Sequence, residues 1–313
     1  MNKTLFPVLA LILGIQLSGY STGAMAAGYT QTRYPIVLAH GMFGFDSIAT
    51  INYWYGIPRA LQRDGAQVFV TQVSALNSSE QRGEQLLAQV EDILAITGAE
   101  KVNLIGHSHG GQSVRYVAAV MPQRVASVTT VGSPVKGSAA ADLGLMALDL
   151  PVVGDALQPV VASVLEGLGW LIGFAAGEQL PQNALDSLNS LSSAGTTDFN
   201  LRFPQGVPVT SCGEGAYESN GVKQFSWSGV NTGVTHFFDP SSYAMVLTKL
   251  AFSEQNDGLV GRCSSHFGQV LRDDYPMDHL DEVNQLFGLA YVFSTNPKTV
   301  YRQHANRLRN LGL

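Results

Sequence analysis

Charge is scarce in this chain. Only 13% of its 313 residues are Asp, Glu, Lys or Arg, and the basic ones are fewer: 18 against 24, a net charge of −6 at pH 7. Without a basic excess, the electrostatic footprint for nucleic acid or an anionic membrane is missing. An uncharged substrate fits better. Cysteine is scarcer still, with Cys212 and Cys263 the whole complement. Beyond the N-terminal stretch no uninterrupted apolar run is long enough to span a bilayer. There is no internal repeat and no acidic or basic tail. From Gly137 to Leu201 there is no Lys or Arg at all.

The N-terminus has its own pattern. Lys3 is the one charge before Arg33, an apolar run extends from Leu5 to Leu17, and Ala24-Met25-Ala26 follows. This reads as a secretory signal peptide over residues 1–26. The run is too short for a membrane anchor. Residues 27–313 then suit one large α/β domain. In an exported chain the two cysteines most simply form one disulfide. Closing that loop would contribute about 4 kcal/mol by chain entropy. Two buried free thiols are the alternative.

The apolar pattern alternates between strand-like and helix-like segments. Tyr34–Ala39 is a continuous apolar run, as in a strand covered on both faces. Strands are expected over 67–73, 102–105 and 125–131, with weaker candidates at 207–211, 223–227 and 267–271. Ser78 with Gln81 resembles a capping box, opening a helix that Gly98 ends. A second helix extends through Val120 and stops before Pro122. Such alternation predicts a mostly parallel sheet with helices on both faces. Within 137–201, Val160, Val161, Val164, Leu165, Leu168, Leu171 and Ile172 recur at helical spacing after Pro159, with Trp170 beside them. This stripe suits either a core helix or a mobile lid that covers a site in water and meets lipid when open.

The most specific motif is Gly106-His107-Ser108-His109-Gly110, between an apolar run and a helix-like segment. That context suits a nucleophile elbow, in which a strained strand-to-helix turn lifts a serine hydroxyl out of the sheet. An ordinary Gly-rich turn is the bland alternative. A serine nucleophile needs a base, an orienting acid and oxyanion donors. The later histidines are His236, His266, His279 and His304. His279, in a loop preceding an apparent helix, is the first choice of base, His266 is the runner-up, and His304 in an Arg-rich terminal helix reads as a surface residue. Asp257 competes as acid with Asp239, Asp273, Asp274, Asp278 and Asp281. The backbone N–H groups of His109 and of Met42, in the loop after the first strand, are the candidate oxyanion donors.

Several segments together carry a family resemblance. They are residues 34–42, 63–68, 102–111, 212–217, 256–261 and 279–285. In these the chain resembles the bacterial family I true lipases, the secreted, calcium-dependent Pseudomonas and Burkholderia type, and is nearer to subfamily one. The resemblance implies an α/β-hydrolase fold with a helical lid inserted within about 137–201. It implies triacylglycerol lipase activity, with Ser108, Asp257 and His279 as the triad and Met42 and His109 as oxyanion donors. It also implies the Cys212–Cys263 disulfide and one structural calcium ion on Asp239 and Asp281 side chains and the Gln285 and Leu289 carbonyls. Secretion through the periplasm and a lipase-specific foldase as export partner are implied too. The residues alone leave two other functions open. One is an esterase for soluble short-chain esters. The other is a non-catalytic binding protein on the same fold.

Overall fold

The computed structural model describes residues 28–42, 47–48, 51–149, 183–230, 233–234, 237–285, 287–289 and 295–313. The expected signal peptide, the apolar stripe at 160–172 and His236 lie outside them. The chain opens with strand β1 (Ile36–Ala39), the short antiparallel pair β2 (Ser47–Ile48) and β3 (Ile51–Asn52), helix α1 (Ile57–Gln62) and strand β4 (Val68–Thr71). Helix α2 (Ser79–Thr97) starts where Ser78 accepts the Gln81 N–H and ends at Gly98, in the left-handed region. Strand β5 (Val102–His107), helix α3 (His109–Val120) and strand β6 (Val125–Val131) follow.

Helices α4 (Ala139–Asp149), α5 (Ala184–Leu191) and α6 (Ser193–Arg202) come next. Strands β7 (Glu218–Ser219) and β8 (Val222–Gly229), helix α7 (Pro240–Thr248), strand β9 (Gln269–Tyr275) and helix α8 (Pro297–Asn310) complete the strands and α-helices of the described residues. The strands other than β2 and β3 form one sheet, in the order β4-β1-β5-β6-β8 with all neighbours parallel. Along β8, β9 pairs parallel and β7 antiparallel.

The central strands β1, β5 and β6 are buried on both faces, and the two-residue side-chain period sorts their residues between two cores. Val37, Leu104 and Val128 face α2 and α3, where Leu86, Val90, Val114 and Val117 pack. Ile36, Leu38, Ile105 and Val131 face the other way, against Trp54, Ile57, Leu61, Val300, Tyr301 and Ala305 from the α1 region and α8. Each fully buried aliphatic side chain here contributes roughly 1.5–3 kcal/mol. The parallel strands bring their C-terminal ends to one edge, where ligands of open α/β sheets bind.

Three expectations need correction. Residues 207–211 are not a strand. Pro204, Gly206 at φ 74° and Pro208 bend the chain, Val207 N–H returns to the Pro204 carbonyl at 3.2 Å, and Pro208 has no N–H for a ladder. The helix expected after His279 is a single 3-10 turn, Asp281–Val283, ended by Asn284 at φ 64°. His304 is not at the surface: it is 1% exposed, with Nε2 at 2.7 Å from Thr129 Oγ1. It shares the buried stripe of α8 with Val300, Tyr301, Ala305 and Leu308, while the arginines take the other face.

Candidate active site

Ser108 sits between β5 and α3 at φ 56°, ψ −129°, a conformation strongly disfavoured for a residue with a side chain. Neighbouring glycines make the turn possible. A Cβ at Gly106 would lie 2.2 Å from the Gly110 carbonyl oxygen, and one at Gly110 would lie 2.2 Å from the Ala39 carbonyl oxygen. Ser108 N–H is tied to the Val131 carbonyl at 2.9 Å. The hydroxyl stands before the N-terminus of α3, where backbone dipoles favour negative charge.

The loop after β1 crosses directly over the serine. A Cβ at Gly41 would meet Ser108 Cβ at 2.6 Å. Met42 and Ser108 line one cavity with Ala141, Leu188, Leu191 and Val260. Arg82, fully buried in the first turn of α2, holds this loop: its guanidinium donates to the His40 carbonyl at 2.7 Å and to the Gly41 carbonyl at 3.0 Å, and also to Ser74 and Ala75 carbonyls. Burial lowers its pKa to about 9. His40 donates from Nδ1 to Gly41 O at 2.8 Å and accepts Val73 N–H at Nε2, and burial beside Arg82 lowers it to about 3. Residue 109 is equally fixed. Its imidazole lies 2.9 Å from Ser79 Oγ and 3.3 Å from Ser187 Oγ, and burial keeps it neutral, its pKa well below the ordinary histidine value.

His279 and Asp257 are brought together. His279 Nδ1 lies 2.7 Å from Asp257 Oδ2, and His279 N–H donates to the Asp257 carbonyl at 2.9 Å. The other carboxylate oxygen accepts the Leu259 and Val260 N–H groups at 2.8 and 2.7 Å. The acid is therefore held from three sides in a turn made by Gly258 at φ 106°. The rival acids have different engagements. Asp273 takes Arg262 in a two-point ion pair and also His266 Nε2. Asp274 pairs with Arg272. Asp278 accepts the Leu280 and Asp281 N–H groups. His266, the runner-up base, thus belongs to a separate cluster with Asp273.

Behind His279 lies a buried group that sequence reading missed. The His107 and His279 ring centroids are 4.5 Å apart. His107 Nδ1 is 2.6 Å from Tyr53 Oη, which accepts Gly41 N–H at 3.0 Å. On its other side His107 Nε2 faces Glu282 Oε2 at 3.2 Å. Burial pulls the imidazole well below its ordinary pKa and pushes the Glu282 carboxyl well above its own, Asp257 adding to the latter. One signal was available: His107 is inside the elbow motif and Glu282 lies three residues after His279. Nothing local marks Arg82 or Tyr53.

Two groups of side chains bear on metal binding. Asp239 and Asp281 are 1% and 0% exposed. Asp239 Oδ1 caps α7 by accepting from Ser241 N and Oγ, and Asp281 Oδ2 accepts Asp278 N–H at 3.2 Å. With the Gln285 and Leu289 carbonyls this would be an all-oxygen set with two carboxylates, which fits a hard dication such as calcium. His107, His279 and Glu282 also offer ligand atoms within 4.8 Å of one another. That set is nitrogen-rich, suits a softer transition metal, and would occupy His279. The oxygen set is the better fit for calcium.

Cys212 and Cys263 form a disulfide, with Cα atoms 4.6 Å apart. No helix of the described residues is long and apolar enough to cross a membrane.

Comparisons with known proteins agree with this fold. Residues 34–283 match the family model for the alpha/beta hydrolase fold. The chain is 54% identical to a triacylglycerol lipase of Vibrio cholerae, over 100% of both chains. It is 43% identical to a triacylglycerol lipase of Pseudomonas fragi, covering 90% of this chain and 98% of the relative. The identity to a triacylglycerol lipase of Burkholderia plantarii is 41%, covering 97% and 94%. The crystal structure of a mature Bacillus licheniformis lipase is similar in fold, with a TM-score of 0.59 at 17% identity, covering 88% of this chain and 92% of that one. The strand order, the elbow and the extent of these matches lead to one assignment: the chain belongs to the alpha/beta hydrolase family, among the bacterial triacylglycerol lipases.

Proposed function

We propose that this protein hydrolyses the carboxylic esters of water-insoluble triacylglycerols through an acyl-enzyme on Ser108. The observation that carries this is the paired His279 and Asp257, 2.7 Å apart, in a fold that holds Ser108 in a strained elbow. Ser108 Oγ attacks the ester carbonyl carbon while His279 Nε2 takes its proton. The carbonyl oxygen becomes an oxyanion, bound by the Met42 and His109 N–H groups. The tetrahedral intermediate collapses, the C–O bond breaks, and His279 returns the proton to the departing alcohol. Water then attacks the acyl carbon with His279 again as base, releasing fatty acid and Ser108. Asp257 holds the imidazole tautomer and stabilises its charged form.

The insertion at 137–201, which supplies Ala141, Leu188 and Leu191 to the cavity wall, is on this reading a lid within a single hydrolase domain. Asp239 and Asp281, with the Gln285 and Leu289 carbonyls, would hold one calcium ion. Bound there, the ion would neutralise two buried carboxylates and brace the loop that carries His279. The disulfide and the apolar N-terminal stretch support secretion through the periplasm, and the resemblance to the family I lipases supports a dedicated foldase as export partner.

Replacing Ser108 tests the chemistry. Ser108→Ala is expected to lower kcat on emulsified long-chain triglyceride by about 10⁶-fold, the scale of losing a serine-hydrolase nucleophile. Undiminished activity would overturn the mechanism. A jump in rate as substrate passes its solubility limit would mark a lipase rather than an esterase for dissolved esters.

A further inference from the structure

The hydrolytic reading uses the front of His279 and the Met42 amide. It leaves unexplained why Tyr53, His107 and Glu282 are buried in contact behind them. Placing three polar groups in a low-dielectric interior is unfavourable unless their contacts compensate. The geometry gives those contacts an order. Gly41 N–H, in the oxyanion loop, donates to Tyr53 Oη at 3.0 Å. Tyr53 Oη meets His107 Nδ1 at 2.6 Å. His107 Nε2 faces Glu282 Oε2 at 3.2 Å, a close approach without hydrogen-bond alignment, and Glu282 Oε1 accepts Gly229 N–H at 2.6 Å.

Through Tyr53, just after β3, these contacts link four further chain segments. The first is the loop between β1 and β2, which carries the oxyanion amide. The second is the end of β5, one residue before the nucleophile. The third is the 3-10 turn after His279, and the fourth is the end of β8. The end of β6 is shaped to admit them, since a Cβ at Gly132 would come within 1.9 Å of Glu282 Oε2. Tyr53 reaches the histidine segment by a second route as well, its carbonyl accepting Gln285 Nε2–H at 3.0 Å.

We propose that Tyr53, His107 and Glu282 form a buried strut between the oxyanion loop and the base-bearing loop, with Tyr53 as the positioning residue for the Gly41–Met42 amide. The proposal rests on Ser108, Met42 and His279 acting as described above. None of the three strut side chains needs to touch substrate. Their effect is to hold the oxyanion donor at a set distance from the nucleophile, where small displacements weaken transition-state stabilisation more than substrate binding. Removing the strut should therefore lower kcat and leave KM nearly unchanged.

The test uses the full chain and a soluble p-nitrophenyl butyrate assay, with Ser108→Ala measured alongside to establish that turnover depends on the serine. Tyr53→Phe keeps the ring in its packing and removes the hydroxyl. It is expected to lose about tenfold in kcat with KM within about twofold. Affinity for an alkylboronic acid, which forms a tetrahedral adduct, should fall by the same factor. A purely structural tyrosine would lower Tm and move neither kcat nor boronic-acid affinity. Glu282→Gln can still accept the Gly229 N–H and present a polar group to His107, so it should stay within about twofold of wild type. Glu282→Leu, similar in bulk without polar atoms, should lose about tenfold. Wild-type kcat and boronic-acid affinity in Tyr53→Phe, or in a folded Glu282→Leu, would overturn the strut. The hydrolytic mechanism would survive that result as long as Ser108→Ala remained inactive.

Discussion

A methyl group at Gly110 would lie 2.2 Å from the Ala39 carbonyl oxygen and 2.6 Å from the His40 carbonyl oxygen. Both are backbone atoms and neither can swing aside. Gly110→Ala is therefore expected to destabilise the fold by about 1–3 kcal/mol, the range for overpacking a tight interior. Because the same overlap pushes on the loop carrying Met42, it should also lower kcat. Gly98→Ala is the control: no atom lies within 4 Å of a Cβ there, and the cost is the positive φ of 66° alone. Thermal melting and ester turnover of the two variants would check the contrast, with catalytic loss expected in Gly110→Ala alone. At this scale the glycine spacing around Ser108 was legible in the sequence. The acid was less so. Six aspartates were open on position, and the two N–H groups and one imidazole gathered at Asp257 appear once the 255–260 turn is closed.

Among the elements, α8 departs most from its sequence pattern. Its arginines suggested an exposed helix, yet His304 lies on the buried stripe and its folded-state pKa is lowered to about 3 by burial, with Arg307 adding to this. The unfolded chain would titrate this group near 6.5. The depressed folded value means that the unfolded state binds the extra proton first. His304 thus leaves stability unaffected above about pH 6.5 and lowers it progressively as pH falls toward 3, by up to about 1.4 kcal/mol per pH unit. His40 behaves alike for the same reason. A His304→Gln variant that folds is expected to have a flatter acid limb in Tm against pH, while neutral-pH stability falls modestly through disturbance of the Thr129 contact. An unchanged acid limb would refute the linkage. Elsewhere the elements followed local rules. Ser78 and Gly98 bound α2 as their side chains and φ angles require, and β6 matches the expected 125–131 span.

For the whole molecule, β9 is held less by burial than β8, the strand it pairs with. Burial along β9 is only partial, and the Cys212–Cys263 bond closes a loop that contains Asp239 and Asp257. That closure contributes about 4 kcal/mol by restricting the unfolded chain. Calcium on Asp239 and Asp281 would add a second clamp on the same half. Prolonged incubation with EDTA is expected to lower both Tm and turnover, and added Ca²⁺ to restore them more effectively than Mg²⁺, which dehydrates reluctantly. No change in either quantity would remove the ion from the account.

The alternation of strand and helix, the parallel sheet it implies and the elbow serine were determined by the sequence alone. Each is written in contiguous residues, where apolar period, capping side chains and glycine spacing act over a few peptide units. Tertiary structure decided which aspartate meets His279, that His304 is core, and that Tyr53, His107 and Glu282 touch. Those contacts join residues 22 to 175 positions apart, on elements that come together only when the sheet and the helices and loops around it pack. No local propensity encodes such a meeting. It follows from where the parallel strands stop and how the loops beyond them pack.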